Sequence, residues 1–162
     1  ISDGSTAGGV PLVLHYIRNV VSATSNTTLT VAQSGSVCTG NKADGITITL
    51  PGAATGLYYS VHVGTTITSN TFTITAASDA DTMQGQLISN DFTDLGSITL
   101  LNESVATVGF DQPAADDHQI VMDGTTKGGK LGSYVNCTAI SAAIWHVDGF
   151  LSSDGSLATC FT

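Results

Sequence analysis

The chain has 162 residues, a net charge of −9 and only 10% charged side chains, where a typical soluble domain carries about 25%. With one arginine and three lysines it has no basic cluster of the kind that phosphate backbones or anionic membranes require. It has 24 threonines, 17 serines and a single glutamate, Glu103, so the residues that usually cover helix surfaces are missing and an almost all-β fold is expected.

Residues 1–9 are rich in Gly, Ser and Thr and read as a loose start. Residues 11–21 are apolar: Leu12, Leu14 and Tyr16 alternate, whereas Val13, Ile17 and Val20 fit a short helical face. An extended arm or first strand is the favoured reading, so residues 1–26 form an N-terminal arm or first strand. Residues 27–162 form a single β-domain. A start at Ile1 is consistent with a processed or trimmed product, and no signal-peptide pattern is seen.

From there the pattern is period two. Ile46, Ile48 and Leu50 oppose Thr47 and Thr49; Leu57, Tyr59, Val61 and Val63 oppose Tyr58, Ser60 and His62; Phe72 and Ile74 oppose Thr71, Thr73 and Thr75. Such alternation predicts half-buried strands. Strands are expected at 28–32, 36–39, 46–50, 57–63, 72–75, 83–88, 97–101, 106–110, 119–122, 133–139, 143–147 and 157–161. Even spacing with polar turns between predicts an all-β, sandwich or barrel-like antiparallel domain. Ile48, Leu50, Tyr59, Val61, Phe72 and Ile74 are expected on one buried sheet face. Five Asp-Gly pairs occur. Asp123-Gly124 and Asp148-Gly149 follow apolar runs and are the strongest hairpin signals.

Chemistry-bearing residues are sparse. His15, His62, His118 and His146 share no ligand spacing, and structural roles are expected for each. Asp79-Ala80-Asp81 and Asp116-Asp117-His118 match no calcium cage and read as solvated loop acids. The cysteines, Cys38, Cys137 and Cys160, lack CxxC spacing, which argues against zinc. Buried free thiols are favoured, with a Cys137–Cys160 bridge left open. There is no G-x-S-x-G elbow and no phosphate loop in a strand–helix setting. No catalytic residue, metal site or cofactor is expected. Trp145 reads as an anchor in the core or at a subunit contact. No apolar stretch has the length of a membrane-spanning helix.

Three stretches resemble a recurring pattern in structural proteins of tailed bacteriophages. They are Thr28-Leu29-Thr30-Val31-Ala32-Gln33-Ser34-Gly35; Ile46–Pro51 followed by Gly56–Val63, as a hairpin; and Gly132-Ser133-Tyr134-Val135 leading to Ile144–Gly149, as a second hairpin. The resemblance covers residues 27–150 and departs after Val135, where Asn136-Cys137 replaces a plain apolar strand. It is similar to virion structural proteins, some of them head decoration (cement) proteins. The resemblance implies a non-enzymatic subunit on the outer capsid surface. Its partner would be the major capsid protein, and with closed symmetry it would form a homotrimer, with no role for nucleic acid or membrane. Partner-contact candidates are Leu12, Leu14, Tyr16, Ile17 and Trp145. The competing expectation is a tail-fibre or surface adhesin module that binds host-cell glycan. Its mark would be exposed aromatics clustered with Asp and Asn.

Overall fold

The computed structural model describes residues 18–91 and 108–162. Eleven strands occur among them: β1 (Val20–Ala23), β2 (Thr27–Thr28), β3 (Val37–Gly40), β4 (Ile46–Thr49), β5 (Tyr58–Val63), β6 (Phe72–Thr75), β7 (Thr82–Asp91), β8 (Val108–Asp111), β9 (Gln119–Met122), β10 (Tyr134–Ala139) and β11 (Ile144–Ser153). No α-helix occurs among the described residues. The strands form a seven-stranded sheet, ordered β1-β3-β5-β10-β11-β7-β8, and a four-stranded sheet, ordered β2-β4-β6-β9.

Both sheets are mixed, which corrects the expectation of a purely antiparallel domain. β1–β3, β3–β5 and β7–β11 pair in parallel, as do β2–β4 and β4–β6. β5–β10, β10–β11, β7–β8 and β6–β9 are antiparallel. The four parallel pairs among β1 to β6 follow from how the chain winds. From β1 to β6, successive strands fall alternately in the larger and the smaller sheet. Strands two apart in sequence are therefore neighbours in one sheet. A parallel pair needs a crossover, and here the crossover is a strand of the opposite sheet rather than a helix.

The same winding corrects two finer expectations. Ile48, Leu50, Tyr59, Val61, Phe72 and Ile74 are all buried, but from two sheets rather than one. The 46–63 stretch is no hairpin, because β4 and β5 belong to different sheets. The 132–149 stretch does contain one: β10 and β11 pair from Tyr134↔Phe150 to Ala139↔Trp145.

The two strongest hairpin signals are also corrected. Asp148-Gly149 lies inside β11. Its glycine serves close packing: a Cβ there would sit 2.2 Å from the Tyr134 carbonyl oxygen. Asp123-Gly124 does turn the chain, with Gly124 at φ 78°. It joins β9 in the smaller sheet to β10 in the larger one. Residues 28–32 give only the short β2 and then a 3-10 turn at Val31–Gln33. The Gln33 side-chain oxygen accepts the Thr30 backbone N–H at 2.9 Å and its hydroxyl at 3.1 Å. This local bonding displaces the strand. Residues 157–161 form one bridge, Ile120↔Phe161, rather than a strand. The Val121 N–H donates to Cys160 O at 2.8 Å and the Thr162 N–H to Gln119 O at 3.1 Å. The tail thus covers part of the β9 edge. The expected strand at 97–101 lies outside the described residues.

One core joins the two sheets. Trp145, Tyr59, Phe72, Ile48, Ile74, Met83, Leu87 and Ile120 are among its fully buried members. Tyr59 and Trp145 meet at 5.9 Å between ring centres, tilted by 55°. The Tyr59 hydroxyl donates to Thr30 O at 2.9 Å, so the ring is buried without stranding its polar end. Phe72 of the smaller sheet packs against Gly40 of the larger: a Cβ on Gly40 would lie 2.2 Å from Phe72 Cε2. The ring occupies the space that a side chain at residue 40 would fill.

This contact generates a paired expectation for urea unfolding. Phe72→Ala should lower stability by about 3–5 kcal/mol through lost burial and a cavity. Gly40→Ala should lower it by about 1–3 kcal/mol through overpacking. Unchanged stability in Gly40→Ala would show that the sheets do not meet there.

Candidate functional site

The best-organised polar chemistry lies on the outward face of the seven-stranded sheet. Register places it there. Strand alternation sends Val135, Cys137, Val147 and Leu151 into the core and their neighbours Tyr134, Asn136, Asp148 and Phe150 outward. One cross-strand row reads Thr39, His62, Tyr134, Phe150, Ile88 and Phe110. The next reads Val37, Ser60, Asn136, Asp148 and Gln86. A third brings Tyr58, Thr138, His146 and Gln84 together. Phe110 is 65% exposed and Ile88 40%.

Asn136 is the hub of this face. Its side-chain oxygen accepts from the Ser60 hydroxyl at 2.8 Å and the Tyr58 hydroxyl at 3.1 Å. Its amide donates to Asp148 Oδ2 at 2.9 Å. His62 Nε2 lies 3.0 Å from Ser60 Oγ, and the His62 ring stacks on Tyr134 at 5.6 Å and 22°. The Arg18 guanidinium sits 5.5 Å above the Tyr58 ring. The departure at Asn136-Cys137 thus has a structural use: Asn136 ties three strands together outside while Cys137 packs inside.

Ser60 and His62 do not make a nucleophile and base. The Ser60 hydroxyl donates to Asn136, so toward His62 it acts as acceptor from an Nε2–H. A base would have to take the proton that the Ser60 hydroxyl directs to Asn136 Oδ1. Partial burial lowers the His62 pKa, which keeps the ring neutral at pH 7.

The other expected residues do not converge on this face. His146 lies on it, but His118 lies elsewhere, where its Nε2 is 3.3 Å from Asp79 Oδ1. No cluster of three or more metal-ligating side chains forms among the described residues. Several acids instead hold backbone. Asp81 Oδ2 accepts from Ala53 N, Asp117 Oδ2 from Ala114 N, and Asp91 Oδ1 from Gly155 N. Asp111 accepts from Cys160 N and from the Thr159 hydroxyl. Asp123 Oδ1 accepts from Thr125 N and Lys127 N, and its Oδ2 from the Thr126 hydroxyl. Burial would raise the Asp123 carboxyl, but these bonds outweigh it and hold its pKa below the usual range.

All three cysteines are buried and free, so Cys137 and Cys160 are not bridged. Burial pushes the Cys38 thiol up to about 11. Burial, with the nearby Asp148 charge, pushes Cys137 up to about 12. Burial and Asp111 raise Cys160 as well. Trp145 is wholly buried in its own domain, the first of the two places expected for it; reaching a partner would require opening the sheets. Leu12, Leu14, Tyr16 and Ile17 lie outside the described residues. Sequence reasoning passed over Asn136, Asp148, Tyr134 and Gln86 as a group. The signal available was their shared parity on strands, but only pairing aligns them. No protein-family model, no curated protein and no solved structure matches this chain.

Two measurements probe these groups. With a thiol reagent at pH 8, the native protein should label negligibly at all three cysteines, and rapidly once unfolded, because only the thiolate attacks. Fast labelling of the native chain would contradict the burial. For Asp123, the folded pKa lies below the unfolded value of about 4. Its stabilisation is therefore present above pH 4 and lost as pH falls through the folded pKa. Asp123→Ala should cost about 1–3 kcal/mol at pH 7 and flatten the acid limb of a stability–pH curve. An unchanged acid limb would show that Asp123 is not a contributor.

Proposed function

We propose that this chain is a non-enzymatic structural subunit of a bacteriophage particle, a β-sandwich module that decorates the outer capsid surface and stabilises the shell. One observation carries this reading: five described acids, Asp81, Asp91, Asp111, Asp117 and Asp123, are engaged in holding backbone N–H groups, and the exposed chemistry is a broad sheet face of mainly uncharged polar and apolar groups. Such a face suits contact over an area rather than bond-making in a cleft. The sequence resemblance points the same way, since two of its three stretches supply β4, β5, β10 and β11, which line the shared core. The partner is the major capsid protein. A homotrimer at a threefold position would let each copy bridge shell subunits and gain avidity from contacts that are weak one by one. The N-terminal residues, with Leu12, Leu14, Tyr16 and Ile17, form an arm that docks on the shell or on a neighbouring copy.

A second reading, an adhesin module that binds host-cell glycan, is favoured by one specific observation. Tyr58 and Tyr134 share the outward face with Asn136 and Asp148, the combination of aromatics with amide and carboxylate that such binding calls for.

The decoration reading is tested on undecorated capsids. The full chain should sediment with them and raise their resistance to heat or dilution. A chain lacking residues 1–17, which keeps every described strand, should retain its strand-type circular dichroism but bind capsids at least about 10-fold more weakly, since each buried apolar side chain contributes on the order of 1–3 kcal/mol before association costs. Failure of the full chain to bind any shell would reject the reading. Equal binding by the truncated chain would reject the arm.

A further inference from the structure

On the outward face, between β7, β11 and β10, lies an open depression of about 530 Å³. Gly85 and Gly149 contribute backbone alone to its lining. Tyr134 and Ile88 give it an apolar side; Gln86, His146 and Asp148 give it a polar one. We infer that this depression is a binding site for a neutral polysaccharide, one sugar ring lying with its C–H face on Tyr134 and Ile88 and its hydroxyls toward Asp148, Gln86 and His146. The inference goes beyond shell decoration and rests on the second reading for the class of ligand; the residues and the sugar chemistry are new to it.

Three features select this occupant. The first is the mixture of groups. A sugar ring has an apolar face and a rim of hydroxyls that both donate and accept. Carboxylate, carboxamide and imidazole beside an aromatic ring match both parts. The second is that the groups are already held in place. Asn136 takes Asp148 Oδ2 at 2.9 Å and fixes that carboxylate, leaving Oδ1 as an acceptor for a hydroxyl pair. The stacking of Tyr134 on His62 fixes the ring that would carry the sugar face. Such positioning reduces the ordering cost on binding. The third is charge. Asp148 sits in the depression and the chain carries −9 overall, so uronate, sialylated or phosphorylated polymers are repelled. A neutral polymer is not. A flat apolar partner is also a poor fit, since it would bury Asp148 and Gln86 without hydrogen bonds.

The test is native gel affinity electrophoresis of the full chain through gels holding neutral polymers (a mannan, a galactan, a β-glucan) or the acidic polymer alginate. Retardation by at least one neutral polymer and none by alginate is expected. Asp148→Ala and Gln86→Ala should each weaken that retardation by about 10-fold, the scale of a lost hydrogen bond to a charged or well-held group. Val31→Ala, an exposed change outside the depression, should leave it unaltered. Gln86 is exposed and makes no side-chain hydrogen bond among the described residues, so its variant separates binding from folding if Asp148→Ala fails to fold. No retardation by any neutral polymer overturns the inference, as does retardation that survives Gln86→Ala. Capsid sedimentation of the unaltered chain keeps the two ideas apart. Sugar retardation without shell binding rejects only the decoration reading; shell binding without sugar retardation rejects only the sugar site.

Discussion

The fold depends on a winding constraint: from β1 to β6 each strand crosses the core into the opposite sheet. From β3 to β6 each strand therefore presents a buried face to the same shared core from alternating sides. The parallel pairs β1–β3, β3–β5, β2–β4 and β4–β6 follow, as does the tight contact where Gly40 yields its side-chain volume to Phe72. Parallel pairing is usually buried beneath helices. Here the second sheet covers one side of the first, and no described segment covers the outward side of the larger sheet.

A chain wound this way has many turns and few charges to hold them. Aspartate does much of that work. Its carboxylate reaches backbone N–H groups within a turn, as at Asp123 and Asp117, or on a segment distant in sequence, as at Asp81 and Asp91. The net charge of −9 sets what can approach: anionic polymers are repelled, and neutral surfaces are not.

The outward face joins the two functional readings. Its apolar row, ending in Ile88 and Phe110, suits contact with protein. The polar row beside it, centred on Asn136, is a hydrogen-bonded network that ties β5, β10 and β11 together. Networks of this kind are rigid when their members are satisfied. A rigid polar array next to aromatic rings serves recognition.

The sequence by itself determined which residues face inward. Alternation at 46–50, 57–63 and 72–75 identified Ile48, Tyr59, Val61, Phe72 and Ile74 as buried, because side-chain parity is a local property of an extended backbone. It also identified the all-β class and favoured buried thiols, while leaving a Cys137–Cys160 bridge open. Only the tertiary structure decided which sheet each strand joins, which way neighbours run and which outward residues meet. Strand pairing is a long-range choice: parity looks the same whether the next strand lies beside the last or across the core. The same limit hid the candidate site. Asn136 and Asp148 sit twelve positions apart on a hairpin, with Tyr58 and Gln86 far from both in sequence, and they meet because register aligns them. Asp148-Gly149 shows the limit most plainly. Its local signal is a turn, yet the packing of β10 against β11 required a glycine in mid-strand, and that requirement prevailed.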